Sequence, residues 1–76
     1  MKTLRDVVVG DTVFRWFPEI IVPMELKVTA VTANRIICND WEFDRQNGAE
    51  IDEFLGWGPT HSGTFIGATP IRPEFN

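Results

Sequence analysis

The densest chemistry in the chain lies between Trp41 and Pro59, which reads WEFDRQNGAEIDEFLGWGP. Glu42, Asp44, Glu50, Asp52 and Glu53 all fall within it. Hard oxygen ligands set this close suit Ca²⁺ or Mg²⁺. If the segment folds as a hairpin, Asp44, Glu50 and Asp52 are the candidate ligands. The spacing argues against a calcium loop, because Asp44-Arg45-Gln46-Asn47-Gly48 lacks the D-x-D-x-D-G order. A solvated hairpin face that blunts edge pairing accounts for the same residues. No metal or other cofactor is therefore expected. Paired carboxylates also do acid–base work in glycosidases, but only in a cleft deep enough to hold a sugar and shift a pKa. A chain of 76 residues offers little depth of that kind.

Nucleophilic chemistry is equally poorly supplied. His61-Ser62 sits in a Gly/Pro/Thr-rich stretch with no third group to orient the imidazole. No G-x-S-x-G elbow is present. Cys38 follows Ile36-Ile37 and reads as a core filler rather than an attacking thiolate. No catalytic residue is assigned, and the chain is not expected to be an enzyme.

Binding surfaces are easier to find. Trp16, Phe17 and Trp57 are candidates for an aromatic platform, of the kind that takes proline-rich peptides, methylated lysines or single-stranded bases. Trp57, set between Gly56 and Gly58, is better suited to fold back as a lid on the core. Ile20-Ile21-Val22 lies between Pro18 and Pro23, and three adjacent β-branched residues cannot all point inward. An outward apolar patch marks an interface, and self-association is its simplest user. Pro70-Ile71-Arg72-Pro73 matches a bare P-x-x-P, a spacing that chance supplies readily.

These residues need strands to position them. Thr12 to Phe17 is β-branched and aromatic, and Pro18 ends its pairing. Met24 to Thr32 alternates, with Met24, Leu26, Val28 and Ala30 on one face and Glu25, Lys27 and Thr29 on the other. Ala33-Asn34 reads as a turn, and Arg35 to Asn39 as a returning strand. Trp41 to Arg45 alternates again before Asn47-Gly48, the strongest short hairpin signal a sequence carries. A two-residue loop there would set Arg45 opposite Glu50 as a cross-strand ion pair, and Phe43 opposite Asp52. It would also set Asp44 against Ile51, an awkward pairing that a longer loop would relieve. Glu53 to Leu55 suits a single helical turn, and Thr64 to Ile66 a last strand. The opening Lys2 to Val8 allows a short helical turn, although Val7-Val8-Val9 favours a strand.

Five or six short strands with no room for βαβ crossovers predict an all-β fold, a small antiparallel SH3-like barrel or roll. The domain is expected to span 1–66, followed by an extended tail over 67–76. Three Trp and six Phe are expected to carry much of the core. One cysteine excludes an internal disulfide and points to a reducing cytoplasm. Val7-Val8-Val9 stops at Gly10-Asp11, too short for a signal peptide, and no run approaches a membrane span.

The net charge is −4: residues 1–38 carry +1 and residues 39–76 carry −5. That balance disfavours nonspecific nucleic-acid binding. A nucleic-acid-binding barrel using Arg15, Lys27 and Arg35 remains an alternative, and a small metal-dependent hydrolase using Asp44, Glu50 and Asp52 a second.

Trp41, Phe43-Asp44-Arg45, Gly48-Ala49-Glu50-Ile51-Asp52-Glu53 and Leu55-Gly56-Trp57-Gly58-Pro59 together resemble a pattern in a group of small uncharacterised bacterial proteins. Gly10-Asp11 and Pro23-Met24-Glu25-Leu26-Lys27-Val28 are similar to the same group, so the resemblance covers roughly 9–66. It implies a compact single domain and carries no activity with it. The expected function is a non-enzymatic protein-interaction or assembly module, with a protein partner or a second copy of itself. Its candidate binding residues are Trp16, Phe17, Ile20, Ile21, Val22 and Trp57.

Overall fold

The computed structural model describes residues 2–71. Leu4–Asp6 form one turn of 3-10 helix, in which the Asp6 carboxylate accepts both the Thr3 N–H and the Thr3 hydroxyl. The valine run that follows is not a strand. Val7 is fully buried, whereas Val8 and Val9 face solvent at the turn into the first strand. That turn is tied at several points. Gly10 adopts a positive φ of 95° and donates to the Val28 carbonyl at 2.9 Å. The Asp11 carboxylate accepts the Val8 N–H at 3.0 Å and the Lys2 ammonium at 2.6 Å. The hydrogen bond from Lys2, and then that from Val8, hold its carboxyl below the ordinary carboxylate range.

Strand β1 spans Thr12–Trp16 and pairs antiparallel with β2, Met24–Lys27, in a register that sets Thr12 opposite Lys27 and Arg15 opposite Met24. The single long strand expected over 24–32 is broken into β2 and β3, Ala30–Val31. The break has a plain cause. Val28 donates back to Asp11 beside β1, while Thr29 donates to Ile37 in the next strand, so the chain changes sheets between them. Leu26 and Val28 point inward as the alternation predicts, but Met24, at the start of β2, is exposed.

Strands β4 (Arg35–Cys38), β5 (Trp41–Asp44) and β6 (Glu50–Ile51) continue the second sheet, whose order is β3-β4-β5-β6. Thr32 shapes the first turn by accepting the Asn34 and Arg35 amides on its hydroxyl. Asn39, at φ 58°, shapes the second. Strand β7, Phe65–Gly67, returns beside β1 to complete a first sheet of order β2-β1-β7. All pairings are antiparallel, so the all-β expectation holds. The two sheets are also stitched together, by Ile66 donating to Gly48 at 2.8 Å and Glu50 donating to Thr64 at 3.1 Å. Strand β7 runs to Gly67, and Ala68 packs against the core, inside the stretch expected as tail. Arg72 and Pro73 of the P-x-x-P lie outside the described residues.

The core is mainly aliphatic. Val7, Val13, Leu26, Val28, Ile36, Cys38 and Ile66 pack around Phe43. The aromatics contribute less than their number suggests: Phe43 and Trp16 are buried, while Trp41 and Phe54 face solvent. Cys38 fills a core position as expected, and burial pushes its thiol up to about 11.

The hairpin register differs from the two-residue-loop expectation. Phe43 faces Glu50 and Glu42 faces Ile51, a shift of two residues that keeps every side chain on its face. Arg45 therefore does not meet Glu50. Its guanidinium donates to the carbonyls of Thr32, Arg5 and Val7, fastening the N-terminal segment. The longer loop is built by Asp44, whose carboxylate accepts the Gln46 and Asn47 amides, both at 3.0 Å. Asn47 then accepts the Ala49 N–H and donates to the Pro59 carbonyl. These side-chain bonds outcompete the tight turn that Asn-Gly alone would make.

Gly48 is needed here twice over. Its φ is +80°, and a Cβ on it would collide with the Ile66 carbonyl oxygen. Gly10 also has positive φ, but a Cβ there would meet nothing within 4 Å. Gly10→Ala should thus lower stability by about 1–2 kcal/mol, the cost of a left-handed alanine. Gly48→Ala should cost distinctly more in urea denaturation. Equal losses would mean that the close approach of Gly48 to β7 is not made in solution.

Candidate functional site

A charged residue sits where strand alternation calls for an apolar one. In β1, Val13 and Arg15 share the inward face, and Arg15 is only 8% exposed. Burying a guanidinium without partners is prohibitive, so its surroundings must neutralise it. Glu50, 3% exposed on the inner face of β6, accepts an Arg15 Nη2 hydrogen bond as a salt bridge. The buried Thr64 hydroxyl donates to the same Glu50 oxygen at 2.5 Å and lies 3.5 Å from Arg15 Nε. Phe17 and Trp41 complete the enclosure, each ring centroid 4.9 Å from the guanidinium carbon. One cation is thereby held by four residues, drawn from the end of β1, the start of β5, β6 and the approach to β7.

Trp41 belongs to a second feature as well. It lines a shallow cleft of about 370 Å³ together with Arg35, Ile51 and Phe54. The remaining lining is acidic: Asp40, Glu42, Asp52 and Glu53, with the buried Glu50. Arg35 Nε stands 4.0 Å from Glu42, a loose pair in solvent that contributes little. Phe54 is held outward by local geometry. The Asp52 carboxylate accepts the Phe54 and Leu55 amides, Asp52 and Trp57 exchange main-chain bonds, and Gly56 at φ 70° closes the turn. This tight hairpin replaces the helical turn expected over Glu53 to Leu55. It leaves the Phe54 ring wholly in solvent, at 102% relative exposure, with Leu55 also exposed. A cleft lined by carboxylates, with Trp41 and the exposed Phe54 beside them, suits a cationic side chain.

No family model matches this chain, and neither does any curated protein or solved structure.

The sequence candidates scatter across the molecule. Trp16 is 3% exposed, so its ring is interior and gives no surface platform. Phe17 is half-buried against Arg15. Trp57 is half-buried too, and its ring packs on Gly63, where a Cβ would lie 2.5 Å from it. Ile20, Ile21 and Val22 are exposed, Ile21 at 82%. Of the basic candidates, Arg15 is neutralised inside, Lys27 Nζ lies 3.4 Å from the Thr12 hydroxyl, and Arg35 lies in the acidic cleft. Of the cation candidates, Asp44 and Asp52 accept loop amides and Glu50 accepts Arg15. Among the described residues no group of three or more His, Cys, Asp or Glu is placed to hold a metal ion. Ser62 donates to the Thr64 carbonyl at 2.9 Å. Among the described residues no helix is long and apolar enough to cross a membrane.

Two features escaped the sequence reading. The Arg15–Glu50–Thr64 network left one trace, an arginine in phase with Val13. The exposed Phe54 left another, an aromatic in the third position of an Asp-x-Phe-x-Gly turn.

Removing one member of a buried ion pair strands the other, at a cost of about 3–5 kcal/mol. Glu50→Gln should lose stability of that order in chemical denaturation. Arg15→Met combined with Glu50→Leu should recover most of it, because no charge is then left buried. A double variant no more stable than Glu50→Gln would show that desolvated charge is not the issue.

Proposed function

We propose that this chain is a non-enzymatic protein-interaction module that docks a lysine- or arginine-bearing segment of a partner protein. The observation that carries the reading is Phe54, wholly exposed on the rim of a cleft whose other walls include Asp40, Glu42, Asp52 and Glu53. An aromatic side chain left in water offers apolar area and a π-face to a partner, and surrounding carboxylates select a cationic one. The −5 balance of residues 39–76 would draw such a partner from a distance.

The scaffold reads as an SH3-like barrel. In support, the chain passes from β2 into β3 across both sheets, and main-chain bonds at Gly48–Ile66 and Glu50–Thr64 link the chain entering β6 to that around β7. The lone buried thiol of Cys38 is compatible with a reducing cytoplasm. The nucleic-acid alternative draws less support, since Arg15 is neutralised by Glu50 and Arg35 sits among carboxylates. The hydrolase alternative is likewise weakened, because Glu50 is held by Arg15 and Thr64.

The test is a fluorescence-anisotropy titration with a labelled peptide of alternating arginine and glycine. Wild type should bind it saturably, and more weakly as salt rises. Phe54→Ser should weaken binding about tenfold, equivalent to ~1.4 kcal/mol. Binding unchanged by Phe54→Ser, or absent at low salt, would overturn the reading.

A further inference from the structure

Strand β2 is an edge strand, and its hydrogen-bonding parity is legible. Val28 uses both its N–H and its carbonyl toward the β1 side, donating to Asp11 and accepting from Gly10. In an antiparallel ladder the residues that bond one neighbour alternate with those that face away. Leu26 and Met24 therefore bond β1, and the main-chain groups of Glu25 and Lys27 point outward. Thr29, next in that series, spends its N–H on Ile37 of β4. Among the described residues β2 pairs with β1 alone, so the outward groups of Glu25 and Lys27 have no main-chain partner. Such an edge is a template for another strand.

The side chains decide which strand. Glu25 and Lys27 are both exposed and lie on one face, two residues apart. A second copy of β2, antiparallel about a two-fold axis, has three registers that bring outward main-chain groups together. Pairing Glu25 with its own copy opposes like charges and sets Lys27 against Pro23, which has no N–H to donate. Pairing Lys27 with its own copy again opposes like charges, and sets Glu25 against Thr29, whose N–H is already used. The third register places Leu26 opposite Leu26. It sets each Glu25 against the other copy's Lys27, with both residues of each pair free to exchange two main-chain bonds. The same register sets Met24, 44% exposed, against the other copy's Val28.

We infer that β2 is the self-association edge of this protein, pairing with β2 of a second copy through reciprocal Glu25–Lys27 contacts. The two first sheets then run on as one six-stranded sheet. The exposed Ile20, Ile21 and Val22 lead directly into β2 and lie beside this junction in sequence. This adds to the interaction-module reading and does not depend on the acidic cleft.

A charge-swap experiment on the full chain tests it, with mass read by sedimentation over a concentration range. Wild type should be a dimer. Glu25→Lys and Lys27→Glu each place like charges across the junction, and each should weaken dimerisation at least tenfold. Mixed in equal amounts, the two variants restore opposite charges at both contacts, and the mixture should recover the dimer. Circular dichroism of each variant checks that it is folded, since both positions face solvent. A wild type that stays monomeric at all concentrations overturns the inference. So does either variant that dimerises like wild type, or a mixture that remains monomeric. Phe54→Ser should leave the dimer intact while weakening peptide binding, which separates failure of this edge from failure of the cleft. Loss of the dimer in Phe54→Ser would place the self-contact at the cleft and overturn the β2 assignment.

Discussion

The arrangement turns on one buried cation. Arg15 projects inward from the middle strand of the first sheet and finds its counter-charge, Glu50, on the last strand of the second. Two sheets of short strands share only a modest apolar core, because a chain of this length buries a limited fraction of its surface. A charge that must not be left unpaired makes their relative placement specific. Glu50 has to reach Arg15, and the Thr64 hydroxyl donates to the same carboxylate oxygen. Phe17 and Trp41 must then close over the guanidinium. Trp41 is consequently held in place at the border of the acidic cleft, and the interior pair and the surface feature share that residue.

The same logic accounts for the placement of several carboxylates between Glu42 and Glu53. Each has a local duty or open solvent. Asp44 builds the loop after β5, Asp52 builds the turn that displays Phe54, and Glu50 balances Arg15. What remains is a negative surface with an aromatic edge at Phe54.

The strands were legible in the sequence because their signals are local. β-branched and aromatic runs bounded by Gly10, Pro18 and Asn39 mark β1 and β4 well, and the alternation that begins after Pro23 marks β2 and gives the inward face of Leu26 and Val28. The hairpin register was not legible. Asn47-Gly48 favours a two-residue turn, but Asp44 and Asn47 offer the backbone competing side-chain bonds, and Gly48 must lie against Ile66, eighteen residues on. The partner of Glu50 was missed for the same reason: Arg15 is adjacent only after β6 and β1 have been brought together across the fold. Trp16, a candidate for a surface platform, is buried instead, since burial of an aromatic depends on which end of a strand the fold covers.

The guanidinium of Arg15 can be observed directly. In a ¹⁵N-resolved NMR spectrum of the native protein, its Nε–H should be shifted upfield by the flanking rings of Phe17 and Trp41 and should exchange slowly with water. An Arg15 Nε–H at the position of a solvated arginine, exchanging as fast as that of Arg5, would contradict the buried pair on which the arrangement of the two sheets rests.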